Sequence, residues 1–333
     1  MSEAVVAMQR VVLLSSVVLS TVFVACGGGG DPDSTATSRV FLSMGTAPPG
    51  GAFFVVGSAL AEVINETGTT QGFNATAEAT SGSQENIRRL STGELDFSLS
   101  NSAITYFAVQ GTEGWDRAYP MRSVMTLAPN IALFVTQTGS GVETLEDLKG
   151  RRVTVGVPGA GFQYFVRPLL AAHGVTYDDF SPLEATQQAA VDMLADGSVD
   201  AAFLGGALPT ASITQAAASM TITFIPFGDA EKQGLVDEYL FFRPATIPAD
   251  TYRGQPEAFD GLDVGSMHLI TSADAPDDLV YTVTRLLYEN RNLVVEKHAA
   301  GRAINSANVV RDTGTEFHPG AIRFYREIGI WPQ

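Results

Sequence analysis

The chain has 333 residues, 45% of them hydrophobic, with 36 acidic side chains against 20 basic ones and a formal charge of −16. So acidic a balance argues against nucleic acid and anionic lipid headgroups as partners, because both attract basic patches. A single cysteine, Cys26, can form no internal disulfide, so the fold must rest on its core.

In chain order, Arg10 is followed by the uncharged stretch Val11 to Ala25, then by Cys26, the run Gly27 to Gly30 and polar residues to Ser38. The apolar stretch is too short to cross a bilayer comfortably and fits the core of a secretory signal over residues 1–25. Phe23-Val24-Ala25 before Cys26 is close to the small-residue box of a lipid-modified cysteine, although Phe stands at its first position. A plain cleaved signal with a chance cysteine is the alternative, and Met8-Gln9-Arg10 offers a second plausible start. Residues 26–38 then read as a flexible tether, and Cys26 as the anchor of an extracytoplasmic protein on a membrane, periplasmic or at the cell surface. Glu3 and Arg10 cancel in the segment to be removed, so the mature chain keeps its acidity.

From Arg39 onward 295 residues remain, enough for two α/β lobes with substantial cores. Val40 to Met44 reads as a strand leading through Gly45 to Gly51 into a helix over Ala52 to Glu66, where Phe53, Val56, Leu60, Val63 and Ile64 keep helical spacing and Gly68 marks the end. Phe73 to Ala79 is a strand, and Ser81-Gly82-Ser83-Gln84 fits a capping box opening the next helix. Gly93-Glu94-Leu95-Asp96 then precedes a buried strand that ends in Asn101-Ser102. About a hundred residues later the same order returns. Val153 to Val155 leads into Gly156 to Gly161 and a helix over Phe162 to His173, a second helix covers Glu184 to Ala195, and Gly197-Ser198-Val199-Asp200 precedes a strand ending in Gly205-Gly206. Val124 to Leu127, Ile131 to Thr136, Arg152 to Val157 and Ile222 to Pro226 are further strands. Ile131 to Thr136 and Val264 to Thr271 are the candidates for crossing between lobes, and the Pro-rich segment Arg243 to Gln255 is expected to wrap between them. Leu279 to Glu289 and Gly320 to Ile328 are amphipathic helices closing the first lobe.

In open α/β sheets a ligand sits beyond the carboxyl ends of the strands. Here those ends carry Gly-rich loops opening helices, where free backbone N–H groups and the helix dipole favour an anion. Catalytic chemistry is scarce. His173, His268, His298 and His318 lie in no metal-ligand spacing, no Gly-x-Ser-x-Gly elbow occurs, and Gly156 to Gly161 lacks the Lys-Ser/Thr of a phosphate loop, with Tyr164 in place of a third fingerprint glycine. No cofactor or metal is expected. Asp96 and Asp200 read as structural, Arg88 and Arg89 as a solvated helix face, and Gly205-Gly206 as either a turn or a ligand contact.

Three stretches carry a resemblance. They are Thr80-x-Gly82-Ser83-x-Glu85-Asn86-Ile87-Arg88, then Ala245-Thr246-Ile247-Pro248-Ala249-x-Thr251-Tyr252-x-Gly254-Gln255, and His318-Pro319-Gly320-Ala321 followed by Arg323-x-Tyr325. In these the chain resembles the TAXI-type solute-binding proteins of tripartite ATP-independent periplasmic (TRAP) transporters, over essentially all of Arg39 to Gly329. The resemblance implies an α/β, two-lobed, type II periplasmic-binding-protein-like fold with two hinge-connecting strands, lobe I comprising residues 39–130 and 265–333 and lobe II residues 131–264. It implies a small organic anion or amino acid as the captured partner and the membrane subunits of a TRAP transporter as the recipient. It places ligand contacts at Gly50, Gly51, Ala52 and Phe53, at Thr80, Ser81, Gly82, Ser83, Gln84 and Asn86, at Asn101 and Ser102, at Gly161, Phe162 and Gln163, and at Gly205, Gly206 and Ala207.

The chain departs from the family pattern where hydroxyls are usual. It reads Gly50-Gly51-Ala52-Phe53-Phe54-Val55 and Gly159-Ala160-Gly161-Phe162. An apolar wall leaves a second polar end of a ligand unpaired, at a cost of roughly 1–3 kcal/mol. The expected ligand therefore has one anionic end and a more apolar body than glutamate or 2-oxoglutarate. An enzyme on the same scaffold and a solute-sensing or adhesion module are the alternatives from other classes.

Overall fold

The computed structural model describes residues 39–332; the signal, tether and Cys26 readings lie outside them. In chain order the strands are β1 (Val40–Gly45), β2 (Phe73–Glu78), β3 (Phe97–Asn101), β4 (Met121–Thr126), β5 (Ile131–Gln137), β6 (Arg152–Thr154), β7 (Ser181–Leu183), β8 (Ala201–Gly206), β9 (Ile222–Phe224), β10 (Phe242–Ile247), β11 (Phe259–Val264) and β12 (Met267–Ser272). The helices are α1 (Ala52–Thr67), α2 (Ser83–Ser91), α3 (Ser102–Gln110), α4 (Gln163–Ala172), α5 (Gln187–Ala195), α6 (Ala211–Ser219), α7 (Asp229–Glu238), α8 (Asp277–Glu289), α9 (Arg291–Lys297) and α10 (Pro319–Glu327).

The strands form two sheets. The first has the order β2-β1-β3-β12-β4, and the second β10-β11-β5-β8-β6-β7, with β9 paired to β5. The strand–helix units place β1, β2 and β3 parallel in the first sheet, and β6, β7 and β8 parallel in the second. Parallel strands joined by helices require burial on both faces. Accordingly α1, α8 and α10 bury Leu60, Val63, Ile64, Val283, Leu287 and Phe324 against the first sheet, while α4, α5 and α6 bury Val166, Leu169, Val191, Leu194 and Ile213 against the second. The helical spacing read from the sequence accounts for α1, α8 and α10 directly.

The chain passes between sheets twice. The first passage runs through residues 127–130, between β4 and β5, and the second through Gly265 and Ser266, between β11 and β12. Ile131 to Thr136 thus lies wholly in the second sheet, and Val264 to Thr271 is interrupted by a two-residue step. The two passages are bonded to each other: Val264 N–H donates to Asn130 O at 3.0 Å, Leu127 N–H to Met267 O at 2.8 Å and Met267 N–H to Ala128 O at 2.9 Å.

Four local expectations change. The segment 243–255 does not wrap between the halves: Phe242–Ile247 is an antiparallel edge strand on β11, with Pro244 opposite Leu262. An edge position tolerates proline because its outer side needs no donor. Ser81 is not an N-cap, since α2 begins after Gly82. The Glu85 carboxylate accepts the Ser81 N–H at 2.8 Å, while the Glu85 N–H donates to Gly159 O of the other half at 3.2 Å. Finally β6 stops at Thr154, and α5 starts at Gln187 after the N-cap Thr186, whose hydroxyl accepts the Ala189 N–H at 3.2 Å. That cap fixes the helix start three residues later than hydrophobic spacing alone suggests.

Candidate functional site

A cavity of about 410 Å³ opens between the carboxyl-end loops of the two sheets. The first turns of four helices line it: Ala52 and Phe53 of α1, Ser83 of α2, Gln187 and Gln188 of α5, and Ala211 and Ser212 of α6. Each first turn carries backbone N–H groups with no partner inside its own helix. The N-caps of α1 and α2 are Gly51 and Gly82, which have no side chain to satisfy them, and Thr210 makes no side-chain cap to α6. Among the described residues no Asp, Glu, Lys or Arg lines the cavity, and His298 is its one titratable side chain. The arrangement offers an oxyanion several dipole-backed donors, with neither a competing carboxylate nor a cationic partner.

Of the residues singled out in the sequence, Gly50, Gly51, Ala52, Phe53, Ser81, Gly82, Ser83, Asn101, Phe162, Gly205 and Ala207 line this cavity. Thr80, Gln84, Asn86, Ser102, Gly161, Gln163 and Gly206 stand outside the lining, and their bonds explain their places. The Thr80 hydroxyl donates to Thr46 O at 3.1 Å and accepts the Gly82 N–H at 3.2 Å, which holds the loop before α2. Asn86, fully buried, donates to Thr46 O at 2.7 Å and to Leu99 O at 2.9 Å, joining the β1–α1 loop to β3. Gln84 Nε2 donates to the Tyr164 hydroxyl at 3.1 Å, a bond from one half of the molecule to the other, and burial pushes the Tyr164 phenol up. Ser102 N–H donates to Ser266 O at 3.0 Å. Gln163 borders a separate cavity of about 190 Å³ with Phe107, Tyr164 and Tyr239. Gly161 lies against Ile104 of the other half, and Gly206 lies beside Ala52.

Asn101 links the cavity to the passages between sheets. Its Oδ1 caps α3 by accepting the Ala103 N–H at 2.9 Å, its Nδ2 donates to Gly265 O at 2.8 Å, and its own N–H donates to the Ser83 hydroxyl at 3.0 Å. One side chain therefore touches the cavity wall, the first turn of α3 and the connecting peptide. On the opposite wall, Gln187 plays a comparable part. Its Oε1 accepts Gly205 N–H at 3.0 Å and the Ser212 hydroxyl at 2.7 Å, and its Nε2 donates to Gly205 O at 2.8 Å, which fixes α5 and α6 to β8.

The apolar part of the lining is Phe53, Val55, Ile104, Ala132, Phe162, Phe165 and Phe203. Phe162 both lines the cavity and packs on Phe165 and Phe203, with ring centroids 5.3 and 6.1 Å away. Phe53 likewise faces the cavity and packs against the first core, whereas Phe54 is absent from the lining. Sequence reasoning missed Pro48, Pro49, Asn130, Thr186, Gln187, Gln188, Thr210, Ala211, Ser212 and His298. Thr186 and Thr210 carried a usable signal, because each is an N-cap residue type directly after a strand or loop and before a helix.

Among the described residues no three His, Cys, Asp or Glu side chains gather in a way that would hold a metal, and no helix is long and apolar enough to cross a membrane. Asp96, Asp200, Arg88 and Arg89 all lie away from the cavity. Arg89 pairs with Glu78 at 2.6 Å, and the Arg88 guanidinium lies 5.3 Å from the Trp115 ring centre.

Several solved structures share this architecture. A protein from Bordetella bronchiseptica RB50 is 12% identical with a TM-score of 0.54, the match covering 88% of this chain and 90% of that one. A structure described as a periplasmic transporter is 14% identical with a TM-score of 0.53, covering 88% and 93%. A Xanthomonas citri protein solved with chloride ion is 10% identical with a TM-score of 0.50, covering 86% and 95%. At such identities the likeness is one of fold, the mixed α/β two-sheet fold of periplasmic binding proteins. The sequence pattern of the NMT1-like family matches residues 44–329, and the chain belongs to that family.

Proposed function

We propose that this protein is an extracytoplasmic solute-binding protein of the TAXI kind, periplasmic or at the cell surface, held to a membrane through Cys26. It captures a small carboxylate-bearing solute and passes it to a TRAP-type secondary transporter. The two halves, residues 39–130 with 265–333 and residues 131–264, act as lobes that close on the solute about the paired passages at 127–130 and 265–266. The observation that carries this reading is the meeting of four helix N-termini, two from each sheet, at one cavity that, among the described residues, no charged side chain lines. Such a site binds an anion through fixed dipoles alone. The phenyl rings of Phe53, Phe162 and Phe203 in the same wall favour a solute body more apolar than glutamate or 2-oxoglutarate.

The task is capture, so no residue is given a catalytic role. Among the described residues the lining holds no paired carboxylates, no thiol and no histidine beside a nucleophile. A thermal-shift screen over organic acids and amino acids tests the proposal, because a ligand that binds only the folded state raises its melting temperature. The proposal expects stabilisation by monocarboxylates with branched or aromatic bodies. Stabilisation confined to cations or neutral sugars would contradict it.

A further inference from the structure

His298 follows α9 and, among the described residues, is the one side chain of the cavity lining able to change its charge. Its ring is oriented by a local bond: Nδ1 accepts the Ala300 N–H at 3.1 Å, so that His298 caps the short helical turn Ala299–Ala303. A neutral imidazole has one donor and one acceptor nitrogen. With Nδ1 occupied as the acceptor, the proton of the neutral ring must sit on Nε2. Among the described residues nothing accepts from that Nε2–H. Burial pushes the His298 pKa down, which keeps the ring neutral around pH 7 and preserves the tautomer. The result is an oriented, uncharged, unspent donor on the wall of a cavity otherwise lined by helix first turns, small polar groups and phenyl rings. His173 and His318 use both ring nitrogens in the fold, and His268 is fully buried away from the cavity, bonded through one nitrogen. His173 bonds Leu169 O and Gly228 N–H, His268 bonds the Thr105 hydroxyl, and His318 bonds Ala275 O and Gly320 N–H.

We infer that His298 is a specificity-determining residue of the solute site, donating its Nε2–H to an oxygen of the bound solute. The inference rests on the proposed solute-binding reading. A site that supplies a donor rejects solutes that leave it unpaired, and this discriminates more sharply than apolar fit does. Because the donor is neutral, it adds direction without adding charge, in keeping with the rest of the lining.

Two substitutions separate the cap from the donor. In His298→Asn the side-chain oxygen stands near the place of Nδ1 and can still cap Ala300 N–H, while the reach of Nε2 is lost. In His298→Gln the amide nitrogen extends toward the place of Nε2, while the cap is weakened. Isothermal titration of the wild type and both variants with isovalerate, phenylacetate and glutarate gives the affinities. Long-range ¹⁵N–¹H spectra of histidine-labelled wild-type protein, with and without the tightest of these probes, report the ring directly and need no variant to fold. The expected result is an Nε2–H tautomer in the free protein, an Nε2 resonance that moves on saturation, a His298→Asn affinity about three- to tenfold weaker, and a His298→Gln affinity near that of the wild type. An unmoved resonance, or His298→Asn binding as tightly as the wild type, would overturn this inference alone. If the wild type binds none of the probes, the carboxylate reading fails, and this inference fails with it.

Discussion

Asp96 and Asp200 perform the same task in the two halves of the molecule. The Asp96 carboxylate accepts the Ser43 N–H at 2.8 Å while its own N–H donates to Ser43 O at 3.0 Å; the Asp200 carboxylate accepts the Arg152 N–H at 2.8 Å while its own N–H donates to Arg152 O at 2.8 Å. Each acid clasps the strand beside it just ahead of a buried strand. The repeated Leu-x-x-Gly-x-(Leu/Val)-Asp thus encodes a sheet-building device, used once in each sheet.

This clasp predicts a separation of stability from binding. Asp96→Ala removes an acceptor from a backbone donor and should destabilise the fold by about 1–3 kcal/mol. Neither Asp96 nor Asp200 lines the cavity, so solute affinity should stay at the wild-type level in Asp96→Ala and Asp200→Ala. Urea unfolding together with titration checks both halves of the expectation, and a large affinity loss in a folded variant would contradict it.

The strands on either side of the Gly265–Ser266 passage, β11 and β12, carry two buried titratable groups with opposite pH behaviour. Burial raises the Asp263 carboxyl to about 6, against the pull of bonds from Ser266, Asn130 and Gly265 and of Arg311 4.0 Å away. A raised acid is better protonated in the fold than in the unfolded chain, so its contribution is full below an ordinary pKa near 3.8 and is lost as pH rises through about 6. Burial lowers His268 from 6.5 to about 3, so its contribution is present above pH 6.5 and is lost as pH falls. Relative to the wild type, Asp263→Asn should therefore gain stability as pH rises from about 4 to 6, and His268→Gln should gain as pH falls below 6.5. Unfolding curves across pH 4 to 8 decide, and stability differences flat with pH would refute the assignment.

Closure is the target of a glycine substitution. Gly82 has φ +128, and a Cβ added there would meet Ala160 Cα of the facing half at 3.1 Å. Gly82→Ala should therefore hold the halves apart, leaving the fold formed but weakening solute binding by about tenfold or more. Small-angle scattering should show a larger radius of gyration in the presence of solute than the wild type has. Unchanged affinity and dimensions would mean that this contact does not belong to the closed form.

How far the sequence could be read depended on whether the cause was local. Helices α1, α8 and α10 announce themselves by spacing, because each buries one stripe, and the two Gly-x-(Leu/Val)-Asp echoes disclose the paired α/β units. The connecting step at Gly265 could not be read this way. A Cβ there would collide with Asn101 Oδ1 and meet Ala103 N at 2.9 Å, a requirement set by residues far away in the chain. Strand β10 was obscured by Pro244, because only the sheet order reveals that it lies at an edge. In the site, the first-half loops at Gly50 to Phe53 and Ser81 to Ser83 were legible as glycine-bearing helix openings. The second-half contribution from Thr186 to Gln188 and Thr210 to Ser212 uses commonplace small polar residues, and His298 reaches the cavity from a helix end with no motif at all.

The most direct test is a competition between two shapes of anion. Isothermal titration of the purified protein with isovalerate or phenylacetate against glutarate measures whether one dipole-held anionic end and a phenyl-lined wall define the site. A monocarboxylate should bind more tightly than glutarate, with a negative heat-capacity change reflecting apolar burial. Tighter binding of glutarate would contradict it.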